Sequence, residues 1–262
     1  MSVVLINQEI VHYEVLGRGR PVIFLHSWVG SWRYWIPTLQ SASTDFRAYA
    51  LDMWGFGETS RGVSGFSVDK QVDLLDQFLY QLGIGKVVLV GHGFGALVAL
   101  QFASKFPQFV DRVMTIGFPL KGELIKERLH SASSEELAAL LAAQKPELAP
   151  VVEDAAKIAP EVKRDRWKDM DDIRLQELWR KCETVCLMVQ GFADPIVQMA
   201  DQELVASLPD KSKMMVFQES GHFPMHEEGE KFHRLLAEFL SLSSGQSPRD
   251  LQLTESWKRR VR

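Results

Sequence analysis

The stretch Lys86-Val87-Val88-Leu89-Val90-Gly91-His92-Gly93-Phe94-Gly95-Ala96-Leu97-Val98-Ala99-Leu100 decides the fold. Its first five residues form a short, β-branched apolar run, which reads as a buried strand. From Ala96 onward the residues are good helix formers at helical spacing. Between the two lies a glycine-rich turn, Gly91 to Gly95, too short to be a dinucleotide-binding fingerprint. Strand, tight turn and helix together make the unit that repeats in parallel α/β sheets.

The rest of the chain extends this pattern. Val3–Ile6 and Ile10–Val15 alternate around Asn7-Gln8 and read as an opening hairpin. Runs at Pro21–Leu25, Phe46–Leu51, Val110–Ile116, Thr184–Gln190 and Lys213–Gln218 read as further strands. Helices are expected over Trp32–Gln40, Val68–Leu82 with Ser67 as N-cap, Gln198–Ser207 and Glu227–Leu240. Between Phe118 and Lys181 the alternation stops. Charged helical segments replace it at Leu120–His130, Glu135–Gln144, Pro150–Ile158 and Arg174–Lys181, with Trp167 and Trp179 as anchors. The expected layout is a core of residues 1–117 and 182–246, an inserted helical cap at 118–181, and a solvated tail at 247–262 ending in Lys258-Arg259-Arg260-Val261-Arg262.

Composition narrows the function. The chain has 262 residues, a formal net charge of -4 and no long block of one sign, which argues against nucleic acid and anionic membranes as partners. No signal peptide or transmembrane window is evident, so a cytoplasmic location is expected. Cys182 and Cys186 are expected to be reduced thiols, and they offer too few ligands for a metal. No cofactor is implied, and the oligomeric state is not legible.

Five loops carry chemistry-bearing residues, each after an expected strand: His26-Ser27-Trp28-Val29-Gly30-Ser31, Asp52-Met53-Trp54-Gly55-Phe56-Gly57, the Gly91–Gly95 turn, Gly191-Phe192-Ala193-Asp194-Pro195, and Glu219-Ser220-Gly221-His222-Phe223-Pro224. Together, and in this order, they resemble the α/β-hydrolase superfamily over nearly the whole chain. The resemblance implies an α/β-hydrolase fold: a mostly parallel central sheet flanked by helices. It places Gly91–Gly95 at the nucleophile elbow, written Gly-x-Ser-x-Gly. Gly93 then stands at the nucleophile position, Asp194 at the acid and His222 at the base. The oxyanion hole would use the backbone N–H groups of Trp28 and Phe94. Ser27, Trp54 and Phe223 are candidate substrate contacts, His92 is expected to support the elbow from behind, and His26 to support its own loop.

Glycine at position 93 satisfies a strained turn but carries no nucleophile, so a covalent acyl-enzyme at that residue is excluded. Four readings stay open: a pseudoenzyme that binds a small apolar molecule, an enzyme using the Asp194–His222 dyad as general base, an ester or carbon–carbon hydrolase whose elbow serine was replaced, and a nucleophile supplied nearby by Ser27 or Ser31. A non-catalytic interaction protein is the alternative of another class.

Overall fold

The computed structural model describes residues 2–62, 66–127, 131–142, 145–158, 162 and 175–251. Among the described residues, eight strands form one sheet: β1 (Ser2–Ile6), β2 (Glu9–Leu16), β3 (Arg20–Leu25), β4 (Phe46–Leu51), β5 (Val87–His92), β6 (Val110–Ile116), β7 (Val185–Gly191) and β8 (Ser212–Phe217). Their order is β1-β2-β4-β3-β5-β6-β7-β8. The β1–β2 and β2–β4 pairs are antiparallel, and all others are parallel. The uninterrupted apolar runs are explained by this arrangement, because central parallel strands are covered on both faces. β5 is buried along its whole length.

Helix α1 covers Ile36–Ala42, α2 Val68–Gln81 and α3 Phe94–Lys105. The expected helix at Trp32 begins as a 3-10 turn over Trp32–Trp35, and Pro37 lies in the first turn of α1, where a missing N–H costs nothing. Ser67 caps α2 by accepting from Lys70 N. α3 packs directly on the sheet. A Cβ at Gly91 would overlap Gly95 O and Ala96, and one at Gly95 would overlap Leu25 O and His26 O. The two glycines are therefore required by the close approach of helix and strands.

Between β6 and β7 the chain forms α4 (Ser134–Leu141), α5 (Ala149–Ala155) and α6 (Leu175–Lys181). α4 starts with a capping box between Ser133 and Glu136. Trp179 is an anchor as expected: it is buried and donates from Nε1 to Pro119 O at 3.1 Å. Trp167 lies outside the described residues. The helix expected from Leu120 does not form over 120–126. A short 3-10 turn at Gly122–Leu124 leads instead to an antiparallel bridge between Ile125 and Val197.

After β7, the helix expected from Gln198 shortens to α7 (Gln202–Ala206). Gln198 N is committed to Leu124 O at 2.7 Å, and Asp201 provides the N-cap. The last helical stretch divides into α8 (Pro224–Glu227) and α9 (Gly229–Ser241). The start of the tail is docked, not solvated. Lys213 Nζ donates to Arg249 O at 2.7 Å and to Leu251 O, and Pro248 and Leu251 are buried. No helix among the described residues is long and apolar enough to cross a membrane.

A fully buried arginine ties α9 to the sheet. Arg112 on β6 donates to Phe239 O, Leu242 O and Ser243 O at 2.7, 2.8 and 3.1 Å, and to Asp111 Oδ2 at 2.7 Å. It satisfies carbonyls at the end of α9, where intrahelical donors run out. Arg112→Met keeps the aliphatic stem but leaves these acceptors without their donor. It is expected to lower unfolding stability by about 3 kcal/mol in urea titrations; an unchanged midpoint would dismiss the clamp.

Candidate active site

Asp194 and His222 meet although 28 residues separate them. Asp194 lies in the loop after β7, and His222 in the loop after β8. Backbone bonds tie the two loops together: Phe192 N to Phe217 O and Ala193 N to Ser220 O, both 2.9 Å. Two carboxylates hold the histidine loop from behind. Glu227 accepts from Gly221 N at 2.6 Å, and Glu228 accepts from Ser220 Oγ at 2.6 Å. Glu227 also pairs with Lys145, in the segment between α4 and α5.

The dyad itself is complete. His222 Nδ1 lies 2.8 Å from Asp194 Oδ2. Asp194 Oδ1 accepts from Ile196 N and Val197 N at 2.9 and 3.0 Å. Both carboxylate oxygens are thus satisfied, and both side chains are buried. With Asp194 as acceptor, Nδ1 carries the proton and Nε2 is the basic nitrogen.

Gly93 has φ +50° and ψ -111°, in the left-handed half of φ space that disfavours side chains. A Cβ built there would lie 3.8 Å from His222 Nε2, so the backbone points this position at the His222 ring. The same Cβ would overlap Ser27 Oγ and lie 3.1 Å from Ser27 Cβ. Gly117, at φ +56°, clears room for the imidazole: a Cβ there would meet His222 Cε1 at 2.8 Å.

A small cavity joins these groups. It is lined by Ser27, Trp28, Gly93, Gly117, Phe118, Pro119, Ile125, Ile196, Val197 and His222. It offers about 20 Å³ to the centre of a water molecule, room for about one water. The roof is the segment carrying Ile125. It is held by Lys126 N to Ile196 O at 2.9 Å and by Lys126 Nζ to Asp194 O at 2.6 Å. The rings of Trp28 and Phe94 stack at 3.8 Å beside the cavity. Phe94 opens α3, so its N–H has no partner within the helix.

Trp54 and Phe223 are not among the described residues that line this cavity. Phe223 is fully buried, its ring packed against those of Tyr34, His92 and His222. Trp54 is clamped through its backbone by Gln71, with bonds of 2.9 and 3.1 Å, and is buried. Ser31 also turns away: its hydroxyl donates to Asp154 at 2.5 Å. Ser27 lines the cavity together with His222.

Sequence inspection missed Tyr34. Its hydroxyl accepts from Ser27 N at 2.7 Å and lies 3.0 Å from His92 Nδ1. His92 Nε2 is 3.0 Å from His222 O. A carbonyl can only accept, so Nε2 carries the proton, and Nδ1 accepts from Tyr34. Burial holds His92 well below the usual histidine pKa, and His222 beside it adds to the effect. His26 is lowered by burial too. It accepts from Met53 N at 3.1 Å and lies 2.9 Å from Ser27 O, which makes it a loop support. Elsewhere, among the described residues, no group of three or more His, Cys, Asp or Glu is arranged to hold a metal.

A family profile described as alpha/beta hydrolase fold matches residues 20–148. The meta-cleavage product hydrolase CumD of Pseudomonas fluorescens IP01 superposes with a TM-score of 0.77 at 25% identity, covering 92% of this chain and 97% of that one. The chain has the α/β-hydrolase fold. Within this α/β-hydrolase fold, Asp194 and His222 sit beyond the carboxyl ends of β7 and β8, at the sheet edge where open α/β sheets bind ligands. The 2-hydroxy-6-oxo-2,4-heptadienoate hydrolase of Pseudomonas putida is 28% identical over 86% of this chain and 91% of its own length. The soluble epoxide hydrolase of Corynebacterium sp. is 30% identical over 43% of this chain, and the match spans 39% of that enzyme.

The buried histidines set a pH response. His26, His92, His226 and His233 are lowered by burial. Their contribution is present above the unfolded value, about 6.5, and is lost as pH falls toward their folded values. His12 is opposed by burial but raised overall by Asp52 and Glu14, so its contribution is present below 6.5 and is lost as pH rises through its folded value. With four against one, the urea midpoint is expected to be lower at pH 5.5 than at pH 7.5, and less so in His92→Gln. An equal or higher midpoint at pH 5.5 would contradict this.

Proposed function

We propose that this chain is a member of the α/β-hydrolase superfamily that acts on a small, largely apolar carbonyl compound, with water as the attacking group. The observation that carries this reading is the complete dyad: His222 Nδ1 at 2.8 Å from Asp194 Oδ2, with Oδ1 held by two backbone N–H groups. Residue 93 is the nucleophile position of an elbow that has no nucleophile, so the dyad acts on water. The segment 118–181 serves as the cap over a core of 1–117 and 182–246, and its residues Phe118, Pro119 and Ile125 contribute to the cavity. An apolar substrate body suits these residues together with Trp28, Ile196 and Val197. The Pseudomonas putida relative's name describes a hydrolase of a small oxo-dienoate, which is itself a carbonyl compound.

The chemistry balances without a covalent intermediate. His222 Nε2 takes a proton from water as the water oxygen bonds to the carbonyl carbon. The carbonyl electron pair moves onto its oxygen, which takes hydrogen bonds from the backbone N–H groups of Trp28 and Phe94. Asp194 stabilises the imidazolium. When the tetrahedral species collapses, the bond to the leaving group breaks and the leaving group takes the proton from His222. For an ester the products are a carboxylic acid and an alcohol.

The test compares the unmodified chain with His222→Ala, Asp194→Asn and Gly93→Ser on p-nitrophenyl esters of several chain lengths. Turnover is expected in the unmodified chain, with kcat/KM reduced about a hundredfold or more in His222→Ala. Turnover absent from the unmodified chain but present in Gly93→Ser would reject water attack in favour of a hydrolase that has lost its serine. Absence from both, with a small apolar molecule retained on purification, would favour a binding protein.

A further inference from the structure

Positions 27 and 93 share one volume. The family pattern that the chain resembles has glycine after the first histidine and serine at the elbow. Here Ser27 follows His26 and glycine occupies 93. The Ser27 hydroxyl lies where the side chain of residue 93 would begin, since a Cβ at 93 overlaps Ser27 Oγ. That point is 3.8 Å from His222 Nε2. Among the described lining residues, Ser27 is the one that carries a hydroxyl.

Ser27 is held firmly by its backbone. Its N–H donates to Tyr34 Oη at 2.7 Å, and its carbonyl lies 2.9 Å from His26 Nδ1. Because His26 Nε2 accepts from Met53 N, Nδ1 carries the proton and donates to Ser27 O. Among the described residues the Ser27 hydroxyl makes no hydrogen bond, although the residue is 2% exposed. A water in the cavity would give that hydroxyl a partner. The cavity has room for about one water.

We propose that Ser27 is a catalytic residue that holds the attacking water. Its Oγ accepts one hydrogen of the water, and the other hydrogen points at His222 Nε2. This leaves a lone pair on the water oxygen for the carbonyl carbon. The Ser27 hydroxyl stands in for the missing elbow hydroxyl as an orienting group and forms no bond to the substrate. Its backbone is too tightly fixed to advance onto a carbonyl carbon, whereas water in the same space is free to do so. Geometry, not proton affinity, separates the two roles: the elbow aims an attacking atom, and the loop after β3 aims a hydrogen-bonding one. This inference rests on the dyad acting as a base on water.

Two measurements test it. The first is the crystal structures of the unmodified chain and of Ser27→Ala at a resolution that places waters. A water within hydrogen-bond distance of both Ser27 Oγ and His222 Nε2 is expected in the former and not in the latter. A direct Ser27–His222 bond, or no water at that place, overturns the proposal even if the dyad is catalytic. The second is p-nitrophenyl acetate turnover, with mass spectrometry after treatment with a fluorophosphonate. Ser27→Ala is expected to reduce kcat about ten- to a hundredfold with KM little changed, and no phosphonyl group is expected on Ser27. A phosphonylated Ser27 makes it a nucleophile and overturns the orienting role. Turnover within twofold of normal in Ser27→Ala, with activity lost in His222→Ala, rejects Ser27 but keeps the dyad. Turnover unaffected by His222→Ala removes the dyad reading and this inference with it.

Discussion

One hydrogen-bond chain sets the geometry on which the site depends. It runs from Ser27 N–H to the Tyr34 hydroxyl, from that hydroxyl to His92 Nδ1, and from His92 Nε2 to His222 O. Both ends are backbone groups whose roles cannot reverse, so the direction of every bond is fixed. The chain links the loop after β3, the end of β5 and the loop after β8, which come from distant parts of the sequence. Burial keeps His92 neutral, as the chain requires: a doubly protonated His92 would have no lone pair for Tyr34.

Above this layer the dyad and Gly93 occupy fixed places. The turn at 93 has the dihedrals that aim a residue toward His222. Chain path and side chain are therefore separable: the turn fixes a direction at position 93, and glycine places no side-chain atom along it. Position 27, on the facing loop, takes up the space. The two positions meet in one volume, so what fills it depends on both.

Most of the fold was legible because its strands are continuous apolar runs and its turns are glycine-rich. Asp194 and His222 could be located because each follows such a run and sits in a short polar loop. What was illegible depends on contacts with no local signature. Tyr34 looks like any aromatic at the start of a helix, and its role appears once Ser27 and His92 flank it. Ile125 sits in a segment with helical composition but pairs with Val197, because a tertiary partner outweighs weak local propensity. Phe223 adjoins His222 in sequence, yet its ring packs among those of Tyr34, His92 and His222 and is not among the described residues that line the cavity.

The roof over the cavity also bears on the support of Asp194. Lys126 and Gln198 bond across it through the backbone, Lys126 Nζ reaches Asp194 O, and the backbone N–H groups of Ile196 and Val197 hold the Asp194 carboxylate. Cover and acid therefore share one short piece of chain. A displacement of residues 196–198 would act on two things at once, the contacts of the segment over the cavity and the hydrogen bonds that hold the Asp194 carboxylate.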